Sequence, residues 1–134
     1  IKYFKKMKLK VNFIRKLARA KTINEIVFVK SKKVKNNNLT PILKWVLENQ
    51  LFKDLEIIQR EHKNKNYIFI NCKNLSKSSD YENIGSKIFD FLSKNKIENS
   101  YIDVSKLDIN NIQLEKTVHG AKLKSYSFDV YKSN

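Results

Sequence analysis

The sequence predicts an α/β domain, in which helices cover a sheet. Three observations support this fold class. Runs of β-branched and aromatic residues recur at strand length, apolar residues recur at helical spacing in other segments, and the predicted order of elements is β-β-α-β-β-α-β-α. Strands that alternate with helices are typical of layered α/β proteins.

The first third of the chain predicts two strands. Leu9, Val11 and Phe13 alternate with polar residues, and this period of two is typical of a half-buried strand. Glu25–Lys30 (EIVFVK) is a continuous β-branched and aromatic run. Such a run is typical of a strand that is covered on both faces.

The next segment predicts a helix after the polar loop SKKVKNNN. Thr40 is a favourable N-cap, and Pro41 is favourable at the first helical position, where no amide hydrogen bond is lost. The apolar residues that follow at helical spacing lie on one face. They are Ile42, Leu43, Val46, Leu47 and Leu51.

The middle of the chain predicts two strands and a second helix. Leu55–Gln59 (LEIIQ) and Asn66–Cys72 (NYIFINC) flank the polar segment REHKNK, so a hairpin is one arrangement that fits them. Ser79 or Asp80 is a suitable cap for the start of the helix. Its apolar face comprises Ile84, Ile88, Phe91 and Leu92.

The last part of the chain predicts one more strand and a final helix. The strand is Ser100–Ser105 (SYIDVS), in which Asp103 alternates with Ile102 and Val104, so we expect its carboxylate to face solvent. The helix begins at about Asn111. Its stripe of small and apolar residues comprises Leu114, Val118, Ala121 and Ser125.

Length and composition indicate one globular domain. The chain has 134 residues, of which 41% are hydrophobic and 31% are charged. The strand pattern begins after Met7, so we expect residues 1–6 to be a disordered extension and residues 7–134 to form a single domain. A lone cysteine, Cys72, and the absence of a signal peptide or a membrane-spanning run in the sequence favour the cytoplasm.

The residue types that carry catalysis are few and scattered. His62 and His119 are far apart in the sequence and lack the partners of a zinc site. Cys72 ends a buried strand, where we expect a core thiol rather than a nucleophile. With only Gly85 and Gly120 present, no Gly-rich phosphate loop can form. We therefore expect no catalytic residues and no metal ligands in this segment.

Positive charge is concentrated at the start of the chain. Residues 1–35 hold 13 Lys and Arg against one acidic residue, within a net charge of +15 for the whole chain. Mixed with Tyr3 and Phe4, these bases suit nucleic acid, through phosphate contacts and base stacking. An anionic membrane surface and a flexible arm without a partner, whose lysines reflect AT-rich codons, are the alternatives. The candidate nucleic-acid contacts are Lys2, Lys5, Lys6, Lys8, Lys10, Arg15 and Arg19.

The closing segment carries the most specific signal. Residues 120–133 read GAKLKSYSFDVYKS, and we call them the C-terminal motif. The motif resembles the end of the N-terminal domain of leucyl (cytosol) aminopeptidases, where a helix has the pattern Gly-Ala-x-Leu-x-Ser-Tyr-x-Phe-Asp-x-Tyr-Lys-Ser. The predicted order of strands and helices also agrees with that domain. The residues that carry the resemblance are Gly120, Leu123, Ser125, Tyr126, Phe128, Asp129, Tyr131 and Lys132.

The resemblance implies a three-layer α/β/α sandwich with a mixed, mostly parallel sheet, similar to a macro domain. In this family a catalytic domain follows, with two metal ions, usually zinc or manganese, and a catalytic lysine and arginine. The enzyme is usually a hexamer that removes N-terminal residues such as leucine from peptides. By this resemblance, the chain is a non-catalytic N-terminal domain that ends at the linker to an absent catalytic domain and serves folding, oligomer contacts and substrate access.

The chain also departs from the family. The family's metal-binding run Asn-Thr-Asp-Ala-Glu-Gly-Arg has no counterpart here. Asn71, Cys72 and Lys73 stand where the family often has Gly-Leu-Gly, which disfavours a third function, ligand binding in a macro-like cleft. His119 stands where the family tends to have an acidic residue.

The aromatic residues of the C-terminal motif have two interpretations. Tyr126, Phe128 and Tyr131 are large amphipathic groups that either pack within this domain or contact the catalytic domain. Gly120 permits a close approach between its helix and a neighbouring backbone.

Overall fold

The computed structural model describes residues 10–14, 23–30, 55–104 and 107–133, with side chains described in 24–30, 55–104 and 107–126. The elements are, in chain order, β1 (Lys10–Ile14), β2 (Ile23–Val29), β3 (Ile57–His62), β4 (Lys65–Asn71), α1 (Ser78–Lys94), β5 (Asn99–Asp103) and α2 (Asn111–Ser133). The predicted α/β class is confirmed. The predicted extension (residues 1–6) and the helix predicted from Pro41 lie outside the described residues.

The strands form one mixed sheet in the order β1-β5-β2-β4-β3. β2 is parallel to both of its neighbours, β4 and β5, whereas β3 is antiparallel to β4. Parallel neighbours require a long crossover connection, whereas antiparallel neighbours are joined by a short turn. The sheet is mixed because it contains both parallel and antiparallel neighbours, and the chain accordingly contains both kinds of connection.

β3 and β4 form the hairpin that the spacing of the two apolar runs allowed. The register pairs His62 with Lys65, and the two residues between them form the turn. Lys63 and Asn64 both have positive φ, at 50° and 62°. These angles are those of a type I′ turn, whose twist matches that of the flanking strands. The strands consequently extend through most of the polar segment between the two apolar runs.

The chain divides into two compact units. The sheet unit comprises residues 12–74 and 101–109, which include β2, β3 and β4. The helical unit comprises residues 1–11, 75–100 and 110–134, which include α1 and α2. The single domain expected for residues 7–134 stays a prediction.

β2 is buried on both of its faces, as the continuous apolar run predicted. Ile26 and Phe28 point to one face and are 2% and 3% exposed, whereas Glu25 and Val29 on the opposite face are similarly buried. On the neighbouring strand β4, Ile68 lies directly opposite Ile26. Each aliphatic or aromatic side chain buried in this way contributes about 1.5–3 kcal/mol to stability.

The prediction that Asp103 faces solvent is wrong. Its side chain is 6% exposed, and the preceding residue, Ile102, is 3% exposed. Two successive residues of β5 are therefore buried. Alternation of polar and apolar residues indicates exposure only where one face of a strand is open, and a strand covered on both faces breaks that rule.

Helix α1 begins at Ser78, before either of the predicted cap residues, Ser79 and Asp80. Asp80 is instead the third residue of the helix, and its carboxylate accepts hydrogen bonds from the backbone N–H groups of Ser76 (3.0 Å) and Lys77 (2.9 Å). These two bonds lower the pKa of Asp80. The carboxylate therefore caps the helix from its first turn.

The C-terminal end of α1 is closed by backbone bonds. The N–H of Ile97 donates to the carbonyl of Leu92 (2.8 Å), and the N–H of Lys96 donates to Ser93 (3.1 Å). Lys96 has φ 56°, so the turn is a Schellman motif with lysine where glycine is usual. The buried residues of the helix include three of the four predicted for its apolar face. They are Tyr81, Ile84, Gly85, Ile88, Phe89 and Leu92.

Helix α2 begins at Asn111, as predicted, because the residues around this position form a capping box. Asn110 Oδ1 accepts a hydrogen bond from the N–H of Gln113 (2.8 Å), and Gln113 Oε1 accepts one from the N–H of Asn110 (3.0 Å). The helix has 23 residues. The whole C-terminal motif therefore lies on one continuous helix.

Candidate functional site

Two glycines bring the backbones of α1 and α2 together within the helical unit. A Cβ atom at Gly120 would lie 2.7 Å from backbone atoms of Glu82, and a Cβ at Gly85 would lie 2.9 Å from the backbone nitrogen of Ala121. Cβ atoms do not approach other atoms so closely. The Ser86 hydroxyl also donates to the carbonyl of Gly120 (3.4 Å). Both positions therefore require glycine.

The prediction that Gly120 permits a close backbone approach is confirmed. The close approach at its counterpart, Gly85, was not predicted, because Gly85 was considered only in excluding a Gly-rich phosphate loop. A signal was present, since Gly85 lies between Ile84 and Ile88 on the apolar face of α1. Glycine is unfavourable inside a helix, and its occurrence on a buried face is typical of close packing.

The C-terminal motif has two faces. On the inner face, Gly120 is buried at the crossing with α1, and Ala121 is 5% exposed. On the other face, Leu123 is 49% exposed and Tyr126 is 62% exposed. Ser125 is half-buried, and its hydroxyl donates to the carbonyl of Lys122 (2.7 Å). The first residues of the motif, Gly120 and Ala121, therefore anchor α2 against α1, and the residues that follow them expose apolar groups.

The remaining motif residues fall on α2 by their backbone. Their side chains lie outside the described part of the structure, so the packing predicted for the aromatic members among them stays a prediction. These residues are Phe128, Asp129, Tyr131 and Lys132.

The candidate nucleic-acid contacts stay predictions as well. Lys10 is the first residue of β1, and its side chain is not described. The other six lie outside the described residues. They are Lys2, Lys5, Lys6, Lys8, Arg15 and Arg19.

Cys72 is a core thiol, as its position after a buried strand predicted. Its side chain is completely buried, and its backbone N–H donates to the carbonyl of Val29 (2.8 Å). Burial raises the pKa of the thiol to about 12, although the positive charge of Lys30 acts in the opposite direction. A thiol with this pKa is almost entirely protonated at neutral pH and is a poor nucleophile.

An ion pair inside the sheet unit was not predicted. Glu25 is 2% exposed, and Lys65 Nζ lies 2.8 Å from its Oε1. The same ammonium lies 5.0 Å from the ring centroid of Tyr67, which stacks on Phe69. A buried carboxylate needs such a partner because burial of a lone charge is costly. The two residues are on neighbouring strands, which the sequence alone does not place together.

Among the described residues, neither histidine lies in a group of side chains that could hold a metal ion. His62 ends β3 and is half-buried, whereas His119 is exposed on α2. Within the described ranges, no group of three or more His, Cys, Asp or Glu side chains is placed to hold a metal ion.

No helix in the described part of the chain has the length and apolar character needed to cross a bilayer. Comparisons with protein-family models, with curated proteins and with solved structures found no match for the chain.

Proposed function

We propose that the chain is the non-catalytic N-terminal domain of a leucyl aminopeptidase. The observation that carries this proposal is the C-terminal motif. Its fourteen residues, 120–133, match the family pattern at Gly120, Leu123, Ser125 and Tyr126 and at the later motif positions. All of them lie on α2, and the family pattern likewise belongs to a helix that leads into the catalytic domain.

The packing of α2 supports this proposal. Gly120 lies against the backbone of α1, which anchors the helix to its own unit. Leu123 and Tyr126, one turn and two turns farther along, expose about half or more of their surface. Tyr126 is therefore not buried within this domain, which was one of the two roles expected for it.

The finer features of the fold form part of the same proposal. The family assignment implies a three-layer α/β/α sandwich with a mixed, mostly parallel sheet, similar to a macro domain. The two divalent metals, zinc or manganese, belong to the catalytic domain. The domain described here supports folding, oligomer contacts within a cytoplasmic homo-hexamer, and control of substrate access.

Two experiments test the proposal. Reading the coding sequence after Asn134 should find, in the same frame, a domain rich in metal-binding carboxylates, with a run like Asn-Thr-Asp-Ala-Glu-Gly-Arg. A stop codon directly after Asn134 would contradict the assignment. The purified 134-residue chain should release no nitroaniline from leucyl-p-nitroanilide with zinc or manganese, and metal-dependent turnover by pure material would contradict the non-catalytic role.

A second candidate function is nucleic-acid binding by the basic first third of the chain. The observation in its favour is the charge of residues 1–35, with 13 Lys and Arg against one acidic residue. If about five lysines neutralise phosphates, the logarithm of the association constant should fall with log salt at a slope near −4.5. Retention on DNA at physiological salt should then disappear when residues 1–10 are removed. Retention unchanged by this truncation would rule out the arm as the binding site.

A further inference from the structure

Exposed apolar side chains are concentrated on one face of α2. Four large hydrophobic residues are exposed in the part of the chain that the structure describes, and three of them lie on this helix: Ile112 (65%), Leu123 (49%) and Tyr126 (62%). A helix turns about 100° per residue, so these three side chains lie within about 60° of one another. They form a stripe along the helix rather than scattered surface residues.

The stripe has a seven-residue repeat. Ile112, His119 and Tyr126 are each seven residues apart, and His119 is exposed like the other two. A repeat of seven is the pattern of helices that pack side by side, and a polar residue at one repeat position fixes their register. We call this surface, formed by Ile112, Glu115, His119, Lys122, Leu123 and Tyr126, the outer face of α2.

The outer face is complementary to itself in an antiparallel arrangement. When a two-fold axis passes through His119, Ile112 faces Tyr126 of the partner subunit. Glu115 and Lys122 lie on the same flank of the stripe, and antiparallel helices bring like flanks together. Each Glu115 therefore faces Lys122 of the partner subunit, so that charges and apolar groups match at once.

We propose that the outer face of α2 binds the same face of a second copy of this chain, as an antiparallel, two-fold symmetric dimer. A parallel pair would bring opposite flanks together and lose the contacts between Glu115 and Lys122. The net charge of +15 opposes association, but most of it belongs to residues 1–35, and the outer face itself carries both signs. A contact through one helix per subunit is small, so the dimer is weak and depends on concentration.

Charge exchange across the interface tests this dimer. Sedimentation equilibrium of the 134-residue chain at low salt should give a monomer–dimer equilibrium. Glu115→Lys and Lys122→Glu should each raise the dissociation constant about fivefold to tenfold, because two attractive pairs become repulsive. The double variant should return it to within about threefold of the original value, since exchanging both charges restores the attraction across the interface. Glu98→Lys makes the same charge change at an exposed residue off this face and is the matched control. It should raise the dissociation constant less than Glu115→Lys does, because it adds the same net charge without creating a repulsive pair in the interface.

The sites are exposed, so circular dichroism should show that all variants remain folded. Three outcomes would overturn the proposal: a monomer at all concentrations up to about 1 mM, single variants that associate as strongly as the original chain, or a double variant weaker than both singles. A chain that stays monomeric but binds another protein through Tyr126 would also overturn it, because the outer face would then serve a different partner.

Discussion

The helical unit and the sheet unit are packed by opposite means. In the helical unit, α1 and α2 meet where side chains are absent, at Gly85 and Gly120, so that backbone lies against backbone. In the sheet unit, large side chains fill the space against the faces of the strands, and Ile68, Phe69 and Ile70 of β4 are completely buried. The crossing of α1 and α2 depends on the absence of side-chain atoms, whereas the core of the sheet unit depends on side chains that fill space.

This difference indicates which substitutions each unit tolerates. Added atoms at the glycine crossing must displace a backbone, and a helix backbone moves only as a whole, so the crossing is sensitive to enlargement. Removed atoms in the sheet core leave a cavity that the neighbouring strands only partly fill, so the core is sensitive to truncation. The three predictions below test this contrast, from the largest expected effect to the smallest.

Truncation of the sheet core should have the largest effect. Ile68→Ala should lower the free energy of unfolding by about 2–5 kcal/mol, because Ile68 is completely buried between β2 and β3 in the sheet. Urea unfolding followed by circular dichroism measures this change. Leu55→Ala, a truncation of an exposed aliphatic side chain in the same unit, is the control and should stay within about 0.5 kcal/mol. Equal effects at the two positions would refute the contrast.

Enlargement of the glycine crossing should have the next largest effect. Gly120→Ala should lower the free energy of unfolding by about 1–3 kcal/mol, because the new methyl group meets the backbone of Glu82. The loss should occur although alanine favours a helix by about 1 kcal/mol over glycine. Lys124→Ala, at an exposed residue of the same helix, should change stability little. A Gly120→Ala protein as stable as the original would show that the two helices separate freely.

Glycine introduced at two lysines whose backbone lies in the left-handed region should have the smallest effect on stability. The effect should be similar in both units. Lys63 in the hairpin turn and Lys96 after α1 have φ 50° and 56°. A side chain at such angles costs about 1–2 kcal/mol, and the greater freedom of glycine in the unfolded chain offsets part of the gain. Lys63→Gly and Lys96→Gly should therefore each raise stability by up to about 1 kcal/mol.

The control for this prediction is Lys87→Gly in the middle of α1, where glycine should lower stability by about 1 kcal/mol. Thermal unfolding of the three variants at one protein concentration compares them. A loss of stability at Lys63 and Lys96 as large as that at Lys87 would contradict the role assigned to their backbone angles.

Much of the fold could be predicted from local patterns. The continuous apolar run predicted β2, and the capping residues near Asn111 mark the start of α2, because a cap acts on the backbone within three residues of itself. Two local predictions were wrong for different reasons. Asp103 is buried because β5 is covered on both of its faces, which depends on the folded chain around the strand. The start of α1 was misplaced although its cap is local, because Asp80 accepts hydrogen bonds from the backbone N–H groups of Ser76 and Lys77 from the third position of the helix rather than from its cap.

The candidate site shows the same limit. Gly120 was identified as a position of close approach, but its counterpart, Gly85, lies 35 residues earlier in the sequence. Glu25 and Lys65 are 40 residues apart, and only the register of β2 and β4 brings them to one ion pair. Hydrophobicity did not distinguish the exposed Leu123 from the buried Leu114, because both are leucines on the same helix.

Local pattern alone was enough to establish the α/β class, the order of the described elements and the position of the C-terminal motif on a helix. These properties follow from periods of two and 3.6 residues and from caps, all of which act between near neighbours in the chain. The folded structure decided which glycines meet, which charges pair and which face of α2 remains open. Those properties depend on contacts between residues far apart in the sequence, and such contacts exist only once the elements have packed.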